Sequence, residues 1–199
     1  MTTIKRQLPA TTELAGAIRA CTLCQGLPLG PKPILQLDPA ARILIVSQAP
    51  GRRAHESGVP FDDPSGDRLR AWLGVDKASF YDPHKFAILP MGFCYPGTTA
   101  AGDLPPRSEC APTWRQQALA LLTRIDITLV IGQFAMEWHL GEQQGKTLTE
   151  TVKNWRRFWP TVLPLPHPSP RNQRWLKQNP FFDTDILPVL RQRMQQILQ

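Results

Sequence analysis

Four stretches of the 199-residue chain are short, mostly apolar and free of strict alternation: residues 42–47 (RILIVS), 86–91 (FAILPM), 127–131 (ITLVI) and 161–165 (TVLPL). Runs of this kind suit strands covered on both faces, as in a parallel sheet. Between and around them the apolar residues recur at helical spacing, predicting helices over 12–20, 67–73, 112–123, 133–140, 148–158 and 183–198. The fourth of these stops at Gly141, a residue suited to closing a helix. Strand and helix alternate along the chain, which predicts an α/β fold, a three-layer αβα sandwich around a short four-stranded parallel sheet. No repeat or long linker divides the sequence, so residues 1–199 are expected to form one domain.

Ligands of such sheets bind beyond the carboxyl ends of the strands. Those ends carry Ser47-Gln48-Ala49-Pro50-Gly51, Gly92-Phe93-Cys94, Gly132-Gln133 and His167-Pro168-Ser169-Pro170. Two of the four are unusually polar and rich in proline and glycine. A binding site is expected there.

Composition narrows the function classes. Apolar residues at 42% and charged residues at 20% suit a packed core with a solvated surface, not a disordered chain. No apolar run reaches the roughly 18 residues of a membrane helix. Residues 1–9 are charged with no apolar run behind them, so no secretory leader and a cytoplasmic location are expected. The net charge of +7 favours a polyanionic partner. The 21 prolines lie at segment ends and predict stiff loops around short elements.

Four cysteines are too few to staple a secreted mini-protein. Cys21 and Cys24 form a C-x-x-C pair, and Cys94 and Cys110 are separated by fifteen residues. Such spacing allows a zinc site, an iron–sulfur cubane or four unrelated buried thiols.

The segment Ser47–Gly66, SQAPGRRAHESGVPFDDPSG, resembles motif A of the uracil-DNA glycosylase superfamily, in particular its iron–sulfur branch, family 4. Ala49, Pro50, Gly51, Gly58, Pro60, Phe61 and Gly66 fall in that motif's register. His167-Pro168-Ser169-Pro170 resembles the second motif of the superfamily. Ile131-Gly132, Ala135 and Leu140-Gly141 resemble its third-strand turn and following helix, and the order of the cysteines is that of family 4. The resemblance covers roughly residues 12–196 and implies a 4Fe-4S cluster held by Cys21, Cys24, Cys94 and Cys110.

What it implies for the site is specific. A flipped base would stack on Phe61, with Gln48, backbone groups near Ala49 and His167 around it. His167 would donate to the base oxygen on which charge develops, a donor placed for the transition state. Gln48 matches a family 4 glutamate and resembles the glutamine of family 1's G-Q-D-P-Y-H motif. The water-orienting aspartate of that motif falls on Ala49, which leaves His55, Glu56, Asp62 and Asp63 as nearby candidates; His55 and Asp63, with Gln48 and His167, are expected to be catalytic. The loop bearing Ser169, Arg171 and Arg174, with Lys177 and Trp175 beyond, would meet DNA. There cations can neutralise phosphates and an aromatic can fill the vacated stack. Arg52, Arg53, Arg68 and Arg70 flank motif A, as phosphate contacts or as a solvated basic face.

One departure bears on the substrate. Family 4 carries an asparagine before the third cysteine that reads the uracil edge, and residues 89–94 (LPMGFC) contain none. The resemblance therefore implies a monomeric DNA-repair glycosylase acting on lesion-bearing DNA, cleaving the N-glycosidic bond of uracil or a related damaged base. Its alternative is a non-catalytic or covalently trapping nucleic-acid-binding protein on the same iron–sulfur scaffold.

Overall fold

The computed structural model describes residues 10–100 and 102–199. The sequence expectation that residues 1–9 hold no leader lies outside them. The apolar runs become strands β1 (Ile43–Val46), β2 (Phe86–Ile88), β5 (Ile127–Ile131) and β6 (Val162–Leu165) of one sheet in the order β2-β1-β5-β6. All three pairings are parallel. Nearly every strand position is buried, which is why these runs do not alternate. Pro164 sits opposite Val130 on β6, an edge strand, where a missing N–H leaves no ladder bond broken.

Helices cover the sheet: α1 (Ala10–Arg19), α3 (Pro64–Leu73), α5 (Cys110–Leu121), α6 (Gln133–Leu140), α7 (Leu148–Lys153) and α9 (Leu187–Leu198). Helix α1 packs on α5 and α3 on α9. The predicted α/β sandwich with a four-stranded parallel sheet is the observed fold. Among the described residues no helix is long and apolar enough to cross a membrane.

Three departures are local. Helix α3 starts at Pro64, before the predicted 67, because the Asp63 side chain caps it by accepting from Gly66 N at 2.9 Å. The predicted helix 148–158 ends at Lys153 and passes into a 3₁₀ turn at Trp155–Arg157. The predicted final helix opens with a π-helical turn, Phe182–Ile186. The structure also has three short helices that the apolar spacing does not predict: α2 (Arg52–Ser57), α4 (Lys77–Phe80) and α8 (Gln173–Gln178). A two-stranded antiparallel hairpin of β3 (Thr98–Thr99) and β4 (Gly102–Asp103) stands between the third and fourth cysteines.

Candidate functional site

The segment leaving β1 runs alongside the one leaving β2. Met91 N donates to Ser47 O at 2.7 Å and Gly92 N to Gln48 O at 3.0 Å, so the two exits are tied past the end of the sheet. The chain then turns into α2 at Gly51. A pocket opens at this edge, walled by Ala49, Gly51, Phe61, Asp63, Asp103 and His167 among others. It lies where a parallel sheet is expected to bind.

Phe61 enters this wall through an unusual turn. Its φ of 56° makes it the one non-glycine residue with positive φ among those described. A Cβ on Gly66 would stand 1.8 Å from the Phe61 carbonyl oxygen, so only glycine lets the turn close. The buried Arg70 guanidinium reaches that same carbonyl at 3.4 Å and pairs with Asp67 at 2.6 Å. The ring of Phe61 meets Phe80 edge-on at 6.2 Å and stays half-buried in the pocket wall. Backbone strain of this kind is concentrated at functional sites.

His167 follows β6 and packs over Gly132, the turn after β5. Ser169 N donates to its Nδ1 at 3.2 Å, and Asn172 Nδ2 pins its carbonyl at 2.8 Å. With Nδ1 accepting, the neutral ring carries its proton on Nε2. Burial lowers its pKa, with Asp63 and Asp103 pulling the other way, so the ring favours the neutral form. A neutral N–H donor therefore stands in the pocket wall.

Two residues expected in the pocket serve elsewhere. Gln48 is not among its walls: Nε2 donates to Leu104 O at 2.8 Å and ties the hairpin to the β1 exit. His55 is buried in α2 with its ring 6.1 Å from that of Tyr95, and it too is absent from the walls. Burial, then the Lys32 charge, lowers its pKa. Asp63 does line the pocket, joined by Asp103 from the hairpin, which the sequence reading did not single out. The only hint was a turn-like Gly-Asp in a polar stretch.

Ser169 lines the pocket and caps the next turn by accepting from Arg171 N at 3.3 Å. Arg171 and Arg174 are exposed and form no ion pair among the described residues. Arg68 instead holds the loop, donating to Ser169 O and Gln173 Oε1, both at 3.0 Å. Trp175 is no free wedge: its Nε1 donates to Thr149 Oγ1 at 2.8 Å, and its ring packs on Phe181 and Phe182.

The four cysteines come together. Cys21, Cys24, Cys94 and Cys110 line one cavity with Phe93, Trp114 and Arg107. No group of three or more His, Cys, Asp or Glu among the described residues is placed to hold a metal ion, so the thiols share walls without a ready-made ligand shell. Burial pushes the Cys110 thiol up to about 12 and raises Cys24 and Cys94. Phe93 N donates to Cys110 Sγ at 3.3 Å and Trp114 Nε1 to Cys21 Sγ at 3.4 Å. Arg107 Nε is buried there without a partner. Five residues after Cys110, Arg115 is fully buried, bonded to Leu89 O, Pro90 O and His139 Nε2, and paired with no carboxylate among the described residues.

Compared with models of known protein families, residues 35–191, most of the chain, match that of the uracil DNA glycosylase superfamily.

Proposed function

The chain belongs to the uracil-DNA glycosylase superfamily, and from that premise we propose that the pocket at the strand ends extrudes a damaged base from DNA and hydrolyses its N-glycosidic bond. Membership carries a glycosylase-type role in DNA repair, with DNA as the substrate. The base chosen, the residues that act and the iron–sulfur branch are our reading.

The observation that carries it is the neutral His167 donor set in the same wall as Phe61 and two carboxylates. An aromatic face suits any flipped base, and stacking contributes about 1–3 kcal/mol. The base leaves as an anion, so a fixed N–H at its carbonyl oxygen strengthens as charge builds, which lowers the barrier. The backbone at Ala49 borders the base. Gln48 and His55 act at one remove, through the hairpin and Tyr95. Arg171, which lies against Gly102 of the hairpin, and Arg174, both exposed and without an ion pair among the described residues, suit phosphate contacts on the strand that enters the pocket.

We read the thiol cavity as the seat of a 4Fe-4S cluster. Its fit rests on four cysteines in one wall, two N–H groups already aimed at sulfur and the partnerless Arg107 Nε. Four thiolates around a cluster are anionic, which suits a buried Arg115 that no carboxylate neutralises. A cubane takes one thiolate per iron, so its ligands border a body instead of meeting at a point. When bound, the cluster supplies a cross-link between Cys21–Cys24, the β2 exit and the start of α5.

The test is single-turnover incubation of protein in excess with oligonucleotides carrying uracil, hypoxanthine or xanthine, in single and double strands. Free base and an alkali-labile abasic site are expected from at least one. Tight binding with no release from any would leave a binding or trapping protein.

A further inference from the structure

Asp103 stands in the pocket wall at the end of the β3–β4 hairpin, opposite Thr98 in the hairpin register. Its Oδ1 accepts from Thr98 Oγ1 at 2.8 Å, and Thr98 Oγ1 lies 2.6 Å from the Tyr95 hydroxyl. A threonine hydroxyl has one proton. With that proton given to Asp103, Tyr95 is the donor, and the chain runs one way from Tyr95 through Thr98 to the carboxylate. The hairpin is itself held from the β1 side by Gln48 and from within by Leu104 N, which donates to Gly97 O at 2.9 Å. Such an arrangement fixes one oxygen and leaves the other to act.

A second carboxylate, Asp63, lines the same pocket. Asp63 spends Oδ1 on the cap of α3. The Oδ2 atoms of Asp63 and Asp103 lie 3.6 and 3.9 Å from where a Cβ on Gly51 would be. Neither Oδ2 accepts a hydrogen bond from a described residue. Two carboxylate oxygens thus approach the same glycine in the pocket wall, where any side chain at 51 would stand against both. Both also act electrostatically on His167, so all three groups share one space.

We propose that Asp103 is a catalytic residue, which with Asp63 holds the attacking water across Gly51 and takes its proton. The inference rests on the glycosylase reading of the pocket. In the reaction the C1′–N bond breaks and its electron pair leaves with the base, whose carbonyl oxygen His167 supports. The water oxygen bonds to C1′, one of its protons passes to Asp103 Oδ2, and that proton then returns to the departed base or to solvent. Water and the glycosidic bond are consumed; an abasic sugar and a free base are formed. The pair's negative charge also favours the cationic sugar of a dissociative transition state.

The experiment compares wild type, Asp103→Asn and Asp103→Ala in single-turnover base release, with affinity read separately on DNA carrying a cleavage-resistant 2′-fluorinated nucleotide. Asp103 is exposed at the open end of a short hairpin, outside the core, so both variants should fold. We expect release slowed by about 100-fold, the lower end of what a general base contributes, with affinity kept within about threefold. Formate should restore part of the Asp103→Ala rate, since a small carboxylate can fill the gap, and should not help wild type. Wild-type rates in both variants, or a loss that follows affinity and does not respond to formate, would overturn the role of Asp103 alone. A wild type that releases no base would overturn the glycosylase reading beneath it.

Discussion

The base pocket and the thiol cavity share one stretch of chain and are finished in opposite ways. Ile88 and Pro90 face the first, while Gly92, Phe93 and Cys94 face the second. In the pocket, His167, Asp63 and Asp103 each have one polar atom fixed by a protein partner and another left over. In the cavity the sulfurs already receive N–H groups, and the leftover atom is a buried guanidinium nitrogen. Groups held at one end and free at the other suit a ligand that comes and goes. A cavity walled by four thiols, with one buried guanidinium nitrogen left over, suits a group that stays. Arg115 joins the two, rising from the helix that begins at Cys110 to the carbonyls of Leu89 and Pro90. Burial lowers its pKa to about 10, still far above neutrality, so the charge is present in the wall between them.

That contrast can be broken from either side, and the larger effect is expected on the cavity side. Cys110→Ser removes the most buried of the four thiols. If the cavity holds a resident cluster, anaerobically purified wild type should carry about four iron and four sulfide per chain. The variant should lose most of both, together with its cooperative thermal transition, because a cluster's binding energy is largely folding energy. One zinc per chain with no sulfide, or full stability in the variant, would remove the distinction between the two regions.

The pocket side should respond more gently. Phe61→Ala deletes the stacking face and should weaken binding to lesion-bearing DNA by about 5- to 150-fold, the equivalent of 1–3 kcal/mol. Binding to undamaged DNA should hardly change, since backbone contacts supply it. Fluorescence anisotropy with paired lesion and control duplexes reads both. An equal loss on the two duplexes would mean that Phe61 only shapes the loop.

The two regions were unequally legible in the sequence. The spacing of the cysteines left unrelated thiols open and the resemblance implied that they meet, while motif A brought Ala49, Phe61 and Asp63 to one place. His167 was legible because proline-flanked polar residues after a strand have few structural uses. Side-chain direction was not legible: Gln48 and His55 lie inside the motif, yet one reaches sideways to the hairpin and the other packs on Tyr95. Helix α2 escaped because six residues, mostly polar, give no periodicity to detect. The hairpin escaped for the same reason, having strands of two residues each, and Asp103 went with it. Trp175 read as a wedge for DNA because it stands among cations, but an indole whose N–H is bonded to Thr149 and whose ring packs on Phe181 and Phe182 is held inward.

The account stands most directly on what His167 does. The decisive measurement is single-turnover base release by cluster-loaded wild type and His167→Ala, side by side, with iron and sulfide content checked in both. Removing one fixed donor from a developing oxyanion typically costs about 100- to 1000-fold. We expect a loss of that size at full cluster content, leaving the chemistry in the pocket and the cavity untouched. Equal rates in the two proteins would contradict the account, because the anion would then be leaving without the donor that the fold holds at its door.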